Sequence, residues 1–261
     1  MTKEKYRSMK NVKSAITIKI VILIIFILSV SIAFASAPNS STQAVDMNKC
    51  VKGIDVSHYQ GTIDWNLVKS SGIKFVFIKA TDAITYTDPM FAANWSGAKK
   101  AGITRGAYHF YEPNDNAVSQ ANNFINVVEK LDLMDLPPVI DIERSPPSGV
   151  NNASFCQNIL SWLHKVEKAL GHKPIIYTNY YFAQKYLTGN DLQSYTLWIA
   201  DYQNPPKAPL TPSTWTNQEW KFWQYSQSGK CDGINEKVDL DMFNGSLSDL
   251  KAFITYQTIL K

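Results

Sequence analysis

Short apolar runs alternate with helical patterns from residue 53 onward, and this alternation limits the possible folds more than any other feature of the chain. Apolar runs typical of strands cover residues 53–57, 74–80, 103–110, 138–143 and 173–178, and a helical pattern follows each of them. Strands that alternate with helices form a parallel sheet with right-handed crossovers. The sequence therefore predicts an α/β fold.

The pattern changes in the last third of the chain. Residues 196–201, 220–226 and 237–243 are typical of strands, but loops rather than full helices separate them. Ser246 and Asp249 have the spacing of a capping box at the start of a final helix. Eight strands favour closure into an irregular TIM-like barrel with an antiparallel pair near its end, so we expect residues 51–261 to form a single barrel domain.

The first 37 residues are typical of an export signal. Six basic residues precede or flank an almost purely apolar run at 20–34, and Ala-Ser-Ala at 35–37 offers a small-residue cleavage site. The alternative is an uncleaved membrane anchor, because residues 20–37 are just long enough to span a bilayer. Residues 38–50 are a polar linker without periodicity, for which we expect no regular structure. The mature domain is thus expected outside the cytoplasm, in the periplasm, the cell wall or the medium.

Charge and cysteine content exclude several functional classes. Removing the six basic residues and one acid of residues 1–37 from totals of 26 and 22 leaves 20 basic and 21 acidic residues, which gives no electrostatic support for a nucleic-acid partner. The four histidines and three cysteines lack metal-ligand spacing, so we expect no metal and no cofactor. An odd cysteine count leaves one thiol unpaired, and Cys50 with Cys231 is the expected bridge.

The strand at 138–143 ends in two carboxylates, Asp141 and Glu143. Side chains alternate along a strand, so both point to one side, roughly 6.5–7 Å apart along the chain. Paired carboxyl groups of glycoside hydrolases are about 5–5.5 Å or about 6.5–9.5 Å apart. The mutual repulsion of two such acids raises at least one pKa, and a protonated acid is what glycosidic cleavage needs. This pair indicates a glycosidase.

Further polar and aromatic residues follow other predicted strands, at the end where barrel enzymes place their chemistry. Asp55 follows the first strand, and Asp239 lies on a strand that we expect to run the opposite way, which would bring it to the same rim. Aromatic rings suit the apolar faces of sugars, and amides or acids bond their polar groups. The predicted substrate-binding residues, each with an alternative role in the core or in holding a loop, are Tyr108, Tyr177, Trp198, Asp201 and Gln224.

Eight short motifs occur in a fixed order from residue 53 to about 245. They are GIDVSHYQG at 53–61, FVFIKAT at 75–81, GAYHF at 106–110, DIE at 141–143, IYTN at 176–179, LWIADY at 197–202, WQYS at 223–226 and VDLD at 238–241. This set resembles the glycoside hydrolase family 25 lysozymes. The resemblance implies a modified barrel of five β/α units followed by three strands. It also implies hydrolysis of the β-1,4 bond between N-acetylmuramic acid and N-acetylglucosamine, with peptidoglycan glycan strands as the partner of a monomeric enzyme.

The resemblance also implies roles for the acids. Glu143 corresponds to the general acid, and Asp141 to the residue that stabilises the 2-acetamido group of the substrate as the nucleophile. Asp55 and Asp239 are the other cleft carboxylates, and either becomes the candidate base if water attacks directly. The alternatives are a catalytically inactive glycan-binding barrel, which should have lost one acid of the pair, and a hydrolase of another polysaccharide.

The sequence departs from the family pattern at two places. Thr81-Asp82-Ala83 stands where Thr-Glu-Gly is usual, and Asp241 stands where Asn is usual, which adds negative charge on the face of Asp239.

His109 alternates with Tyr108, so we expect it to face the helices. Lys79 on a buried strand needs a carboxylate, for which we expect Asp55.

Overall fold

The computed structural model describes residues 44–202, 207–216 and 220–258. The predicted export signal at 1–37 and the first part of the linker lie outside these ranges. Within residues 44–50, where we expected no regular structure, Met47–Lys49 form a short 3-10 helix whose first amides are capped by Asp46, with Oδ1 accepting from the Asn48 N–H at 3.1 Å. In the part of the chain that the structure describes, no helix is both long enough and apolar enough to cross a bilayer.

Eight strands close into a barrel. In chain order they are β1 (Val51–Val56), β2 (Phe75–Asp82), β4 (Thr104–Phe110), β5 (Val139–Asp141), β6 (Ile175–Asn179), β7 (Thr196–Ala200), β8 (Phe222–Gly229) and β9 (Val238–Phe243), while β3 (Tyr86–Thr87) is a short hairpin partner of β2. Adjacent barrel strands from β1 through β8 run parallel to each other. Strand β9 pairs antiparallel with both β8 and β1, which closes the barrel. The predicted antiparallel end of the barrel is confirmed.

A helix follows each of the first five barrel strands, and one more helix follows β9. They are α1 (Trp65–Ser70), α2 (Phe91–Ala101), α3 (Ala117–Val128), α4 (Asn152–Leu170) and α5 (Tyr180–Tyr186), and α6 (Leu247–Gln257) follows β9. Several of these helices begin at a residue whose side chain caps the first backbone amides. In α4, for example, Asn151 Oδ1 accepts a hydrogen bond from the Ser154 N–H at 2.9 Å. The five β/α units, the three helix-poor strands and the final helix confirm the predicted fold class.

Aromatic rings fill the lower part of the barrel interior. Phe222 contacts Phe75, Phe77 and Phe243 with ring centroids 5.2–5.5 Å apart, and Phe253 of α6 closes the bottom at 5.5 Å. Gly53 faces this cluster, and a Cβ atom there would lie 2.2 Å from the Phe75 ring. The glycine of the first motif is therefore needed because a phenylalanine ring occupies the space of its side chain.

Side chains that point outward from the strands pack against the helices. His109 is one of them: its Nδ1 lies 2.7 Å from Thr81 Oγ1, its Nε2 lies 3.0 Å from Gln120 Oε1, and its ring stacks on Trp162 of α4. Burial lowers the pKa of His109 to about 4, so the ring is neutral at ordinary pH. The prediction that His109 faces the helical layer is confirmed.

The expected bridge between Cys50 and Cys231 is wrong, because Cys50, Cys156 and Cys231 are all free thiols. Strands β1 and β8 run in the same direction around the barrel. Cys50 precedes the first residue of β1 and Cys231 follows the last residue of β8, so the two thiols belong to opposite ends of the barrel. A disulfide needs Cα atoms within about 7 Å.

Candidate active site

An open cleft lies where the barrel strands end. The carboxyl ends of the parallel strands and the start of the antiparallel β9 meet there, which is the usual site of chemistry in such barrels. Its volume is about 220 Å³. The residues that line it are Asp55, Val56, Ser57, Tyr59, Gln60, Lys79, Tyr108, Phe110, Asp141, Glu143, Tyr177, Trp198, Gln224 and Asp239.

Asp141 and Glu143 both line this cleft, as strand alternation predicts. Asp141 is the last residue of β5, and the intervening Ile142 is fully buried. Hydrogen bonds hold Ile142 on both sides: its N–H donates to the Tyr177 carbonyl at 2.9 Å, and its carbonyl accepts from Thr178 Oγ1 at 2.8 Å. The backbone thereby fixes where the next side chain, Glu143, enters the cleft.

The two acids differ in exposure. Asp141 is 8 % exposed and its Oδ1 has no hydrogen-bond partner, whereas Glu143 stands exposed at the rim. Loss of solvation raises the pKa of Asp141 well above its usual range, and the charge of Glu143 adds to this. Partial loss of solvation, and then the charge of Asp239, also raise the pKa of Glu143, whereas the Tyr177 hydroxyl beside it lowers this pKa. The couple therefore retains a proton to higher pH than isolated carboxyl groups do.

Gln224 links two parts of the cleft. Its Nε2 donates to Asp55 Oδ2 at 2.7 Å, and its Oε1 accepts from the hydroxyls of Tyr177 and Tyr202, each at 2.8 Å. Burial raises the pKa of Tyr202 to about 12, so its hydroxyl stays a donor. Gln224 is 3 % exposed, and this network fixes the orientation of both Asp55 and Tyr177.

A second acidic group lies opposite the Asp141–Glu143 couple. Asp55 of β1 is paired in register with Asp239 of β9, and Asp241 lies deeper on the same face of β9. Asp241 is fully buried, and its Oδ1 accepts from Trp198 Nε1 at 2.9 Å while its Oδ2 has no partner. Burial first, and then the neighbouring acids, raise the pKa of Asp55 and Asp241 well above the usual range.

Aromatic side chains form the walls and floor of the cleft. Trp198 is 2 % exposed, stacks on Phe77 at 4.3 Å and contacts Tyr177 at 4.5 Å, so it is the upper face of the aromatic interior. Tyr108 lines the cleft on β4. Trp215, Trp220 and Trp223 are buried in the layer outside the barrel.

Lys79 lines the cleft, but its carboxylate partner is Asp82 rather than Asp55. The distance from Nζ to Asp82 Oδ2 is 2.8 Å. The pairing of β2 with β4 shifts between Lys79 and Thr81, which inserts one extra residue into β2. Residues three apart normally face opposite sides of a sheet, and this bulge brings Lys79 and Asp82 to the same side. The expectation for Lys79 is corrected accordingly.

Asp201 is the one predicted site residue that does not line the cleft. Its Oδ2 accepts from the Leu210 N–H at 2.9 Å, which holds the loop after β7. Sequence reasoning missed Tyr59 and Gln60, which line the cleft, and Tyr202, whose hydroxyl donates to Gln224. Their signal was available, because all three lie in motifs that continue past the end of a strand.

Comparisons with known proteins identify the family of this chain. The family model "Glycosyl hydrolases family 25" matches residues 54–234. Among curated proteins, YegX of Escherichia coli K12, described as uncharacterized, is 37 % identical over 210 residues (78 % of this chain, 73 % of YegX). Lysozyme M1 of Streptomyces globisporus is 36 % identical over 211 residues (77 % of this chain, 70 % of that protein).

Among solved structures, the bacterial lysozyme of Streptomyces coelicolor superposes with a TM-score of 0.73 and 34 % identity. The match covers 84 % of this chain and 100 % of that structure. The family match extends from the middle of β1 to the loop before β9, and therefore includes Asp55, Asp141 and Gln224. The chain belongs to glycosyl hydrolases family 25.

Proposed function

We propose that this protein is an exported lysozyme that hydrolyses the β-1,4 bond between N-acetylmuramic acid and N-acetylglucosamine in peptidoglycan. The observation that carries the proposal is the Asp141–Glu143 couple at the mouth of an open cleft in a family 25 barrel. The name of Lysozyme M1, 36 % identical to this chain, supports the choice of substrate.

Glu143 acts as the general acid. It stands at the rim, where a departing sugar oxygen can approach it, and its raised pKa keeps it protonated at higher pH than an isolated glutamate. Donation of that proton to the glycosidic oxygen lets the leaving sugar depart as a neutral alcohol. Glu143 is then the carboxylate that can take a proton from incoming water.

Asp141 stabilises the nucleophile, which is the oxygen of the substrate's own 2-acetamido group. Attack by that oxygen on the anomeric carbon places positive charge on the acetamido nitrogen. With the shared proton on Glu143, Asp141 is the carboxylate, and it lines the cleft, where its negative charge stabilises the acetamido N–H as that nitrogen becomes positive. If water attacks directly instead, the base would be Asp239 or Asp55, which lies across the cleft.

The shape of the cleft suits part of a long chain. Pockets that enclose a drug-sized ligand measure roughly 300–1,000 Å³, and the cleft measures about 220 Å³. One or two sugar rings would occupy it while the rest of the glycan lies across the rim. Tyr108, Tyr177 and Trp198 all line the cleft, and the half-buried Tyr108 has the most open ring of the three, against which the apolar face of a sugar can pack.

Export is proposed from the basic and apolar residues 1–37, and a monomeric state remains an expectation. Export fits a substrate that lies outside the cytoplasm.

Mass spectrometry of digested, purified sacculi tests the proposal. New reducing ends on N-acetylmuramic acid are expected. Reducing N-acetylglucosamine or released peptides would contradict the proposed bond, and intact sacculi that retain the protein would favour the inactive glycan-binding alternative.

A further inference from the structure

Three aromatic side chains form an exposed shelf beside the cleft: His58, Tyr59 and Tyr86. The His58 and Tyr59 rings lie 4.1 Å apart at 35°, and Tyr86 meets His58 edge-on at 6.3 Å. Tyr59 is 74 % exposed and Tyr86 is 40 % exposed. Tyr59 also lines the cleft, so the shelf continues the surface on which the proposed substrate lies.

The shelf is held rigidly from below. His58 Nδ1 lies 2.8 Å from Oδ2 of the buried Asp88, and the same oxygen accepts from the His58 N–H at 3.0 Å. Because the carboxylate occupies Nδ1, Nε2 is the ring nitrogen left for a ligand. Asp88 thus ties the segment after β1 to the segment after β3.

The turn that carries Tyr59 is cross-linked as well. Ser57 N–H donates to Gln60 Oε1 at 2.8 Å, the Tyr59 N–H donates to Ser57 Oγ at 3.3 Å, and Gln60 Nε2 donates to the Lys237 carbonyl at 3.0 Å. A surface tyrosine in this turn therefore loses little conformational entropy when something packs on it.

We propose that this aromatic shelf is an additional subsite that binds an N-acetylated hexose ring of the glycan strand beyond the cleft. The apolar face of the sugar packs on the Tyr59 ring, and His58 Nε2 accepts a hydrogen bond from a sugar hydroxyl. The small volume of the cleft supports this occupant, because neighbouring rings of the same strand must pass over the rim. The inference rests on the proposed function and adds to it a preference for longer strands.

The test compares Tyr59→Ala with wild type on soluble N-acetylglucosamine–N-acetylmuramic acid oligomers, one short and one long. Removing the ring should raise KM for the long oligomer by about three- to tenfold, the range that one aromatic contact contributes. The KM for the short oligomer should rise less than the KM for the long one, because only the long oligomer extends beyond the cleft onto the exposed Tyr59 ring. Tyr59→Phe should restore the long-oligomer KM, since it keeps the ring.

Tyr256→Ala is the matched control, because Tyr256 is 86 % exposed on α6, after β9. Equal KM values for Tyr59→Ala and Tyr256→Ala on the long oligomer would overturn the subsite. An equal loss on both oligomers, or a loss in kcat, would also overturn it, because Tyr59 would then act within the cleft. Failure of the wild-type protein to cleave either oligomer would instead count against the proposed function.

Discussion

The lower and upper halves of the barrel interior are built on the same strands but hold opposite chemistry. On β8, Phe222 belongs to the aromatic cluster and Gln224, two residues later, binds Asp55. On β9, Phe243 belongs to that cluster, and Asp241 and Asp239 lie progressively nearer the cleft. The pleat of each strand sets which side chains point inward. The position of an inward residue along its strand then determines whether it packs in the aromatic cluster or lies near the cleft.

The two halves of the barrel interior affect its stability in opposite ways. Packed rings in the lower half bury apolar surface and contribute stability. Acids in the upper half lose solvation and repel one another, which raises their pKa and makes their ionised forms unfavourable. Substitutions in the two halves should therefore have separable effects, on folding below and on turnover above.

The largest effect is expected for Glu143→Gln. The amide keeps the shape of the side chain but has no acidic proton, so kcat on peptidoglycan should fall by about 10²- to 10⁴-fold. Thermal unfolding should remain cooperative at an unchanged midpoint. Glu112→Gln is the matched control, since Glu112 also has a raised pKa but pairs with Arg144 outside the cleft. Turnover near that of wild type in Glu143→Gln would remove the proposed acid.

Phe222→Ala tests the lower half. Its ring contacts four other phenylalanines, so the loss should lower the free energy of unfolding by about 3–5 kcal/mol. Urea denaturation measures this, with Leu133→Ala as the exposed control. The folded fraction should keep most of its specific activity. A loss of activity without a loss of stability would show that the two halves are not separable.

Asp141→Asn should have the reverse effect of Phe222→Ala, because it should reduce turnover without reducing stability. The amide cannot carry the negative charge that stabilises a developing positive centre, so turnover should fall by about 10²- to 10³-fold, as for a single group of this kind. Stability should hold or increase, because a buried ionisable group with a raised pKa has been neutralised. Asp191→Asn, at an exposed position, is the control. Loss of stability together with activity would mean that Asp141 is mainly structural.

Features set by local alternation were predictable from the sequence. The order of strands and helices, the shared face of Asp141 and Glu143 and the outward direction of His109 all follow from the periods of strands and helices. The approach of Asp239 to Asp55 needed one further step, which was the expectation that β9 runs antiparallel.

Features set by irregularity or by distant partners were not predictable. Lys79 binds Asp82 because a bulge in β2 places the residues beyond it on the opposite face of the sheet from the one that regular alternation predicts. No residue in that stretch is typical of a bulge. The thiols of Cys50 and Cys231 stay apart because of the strand directions around the closed barrel. Asp201 binds a backbone amide of the following loop, a choice that depends on loop conformation.

The smallest and most informative effect concerns Asp241, where the aromatic and acidic halves meet. Burial raises its pKa well above the ordinary value of an aspartate. Between the unfolded and folded pKa values the folded protein binds more protons than the unfolded chain, so stability falls as pH rises through this interval. Asp241→Asn cannot ionise, and its amide oxygen can still accept from Trp198 Nε1.

Asp241→Asn should therefore match wild type near pH 4, about the ordinary pKa of an aspartate. Toward neutral and alkaline pH it should become more stable than wild type by about 0.5–2 kcal/mol, the usual range for a single stabilising substitution. Urea unfolding at several pH values measures the difference, with the exposed Asp232→Asn as control. A difference that is constant with pH would mean that Asp241 is equally ionised in both states, and the acidic half would then cost the barrel no stability at this position.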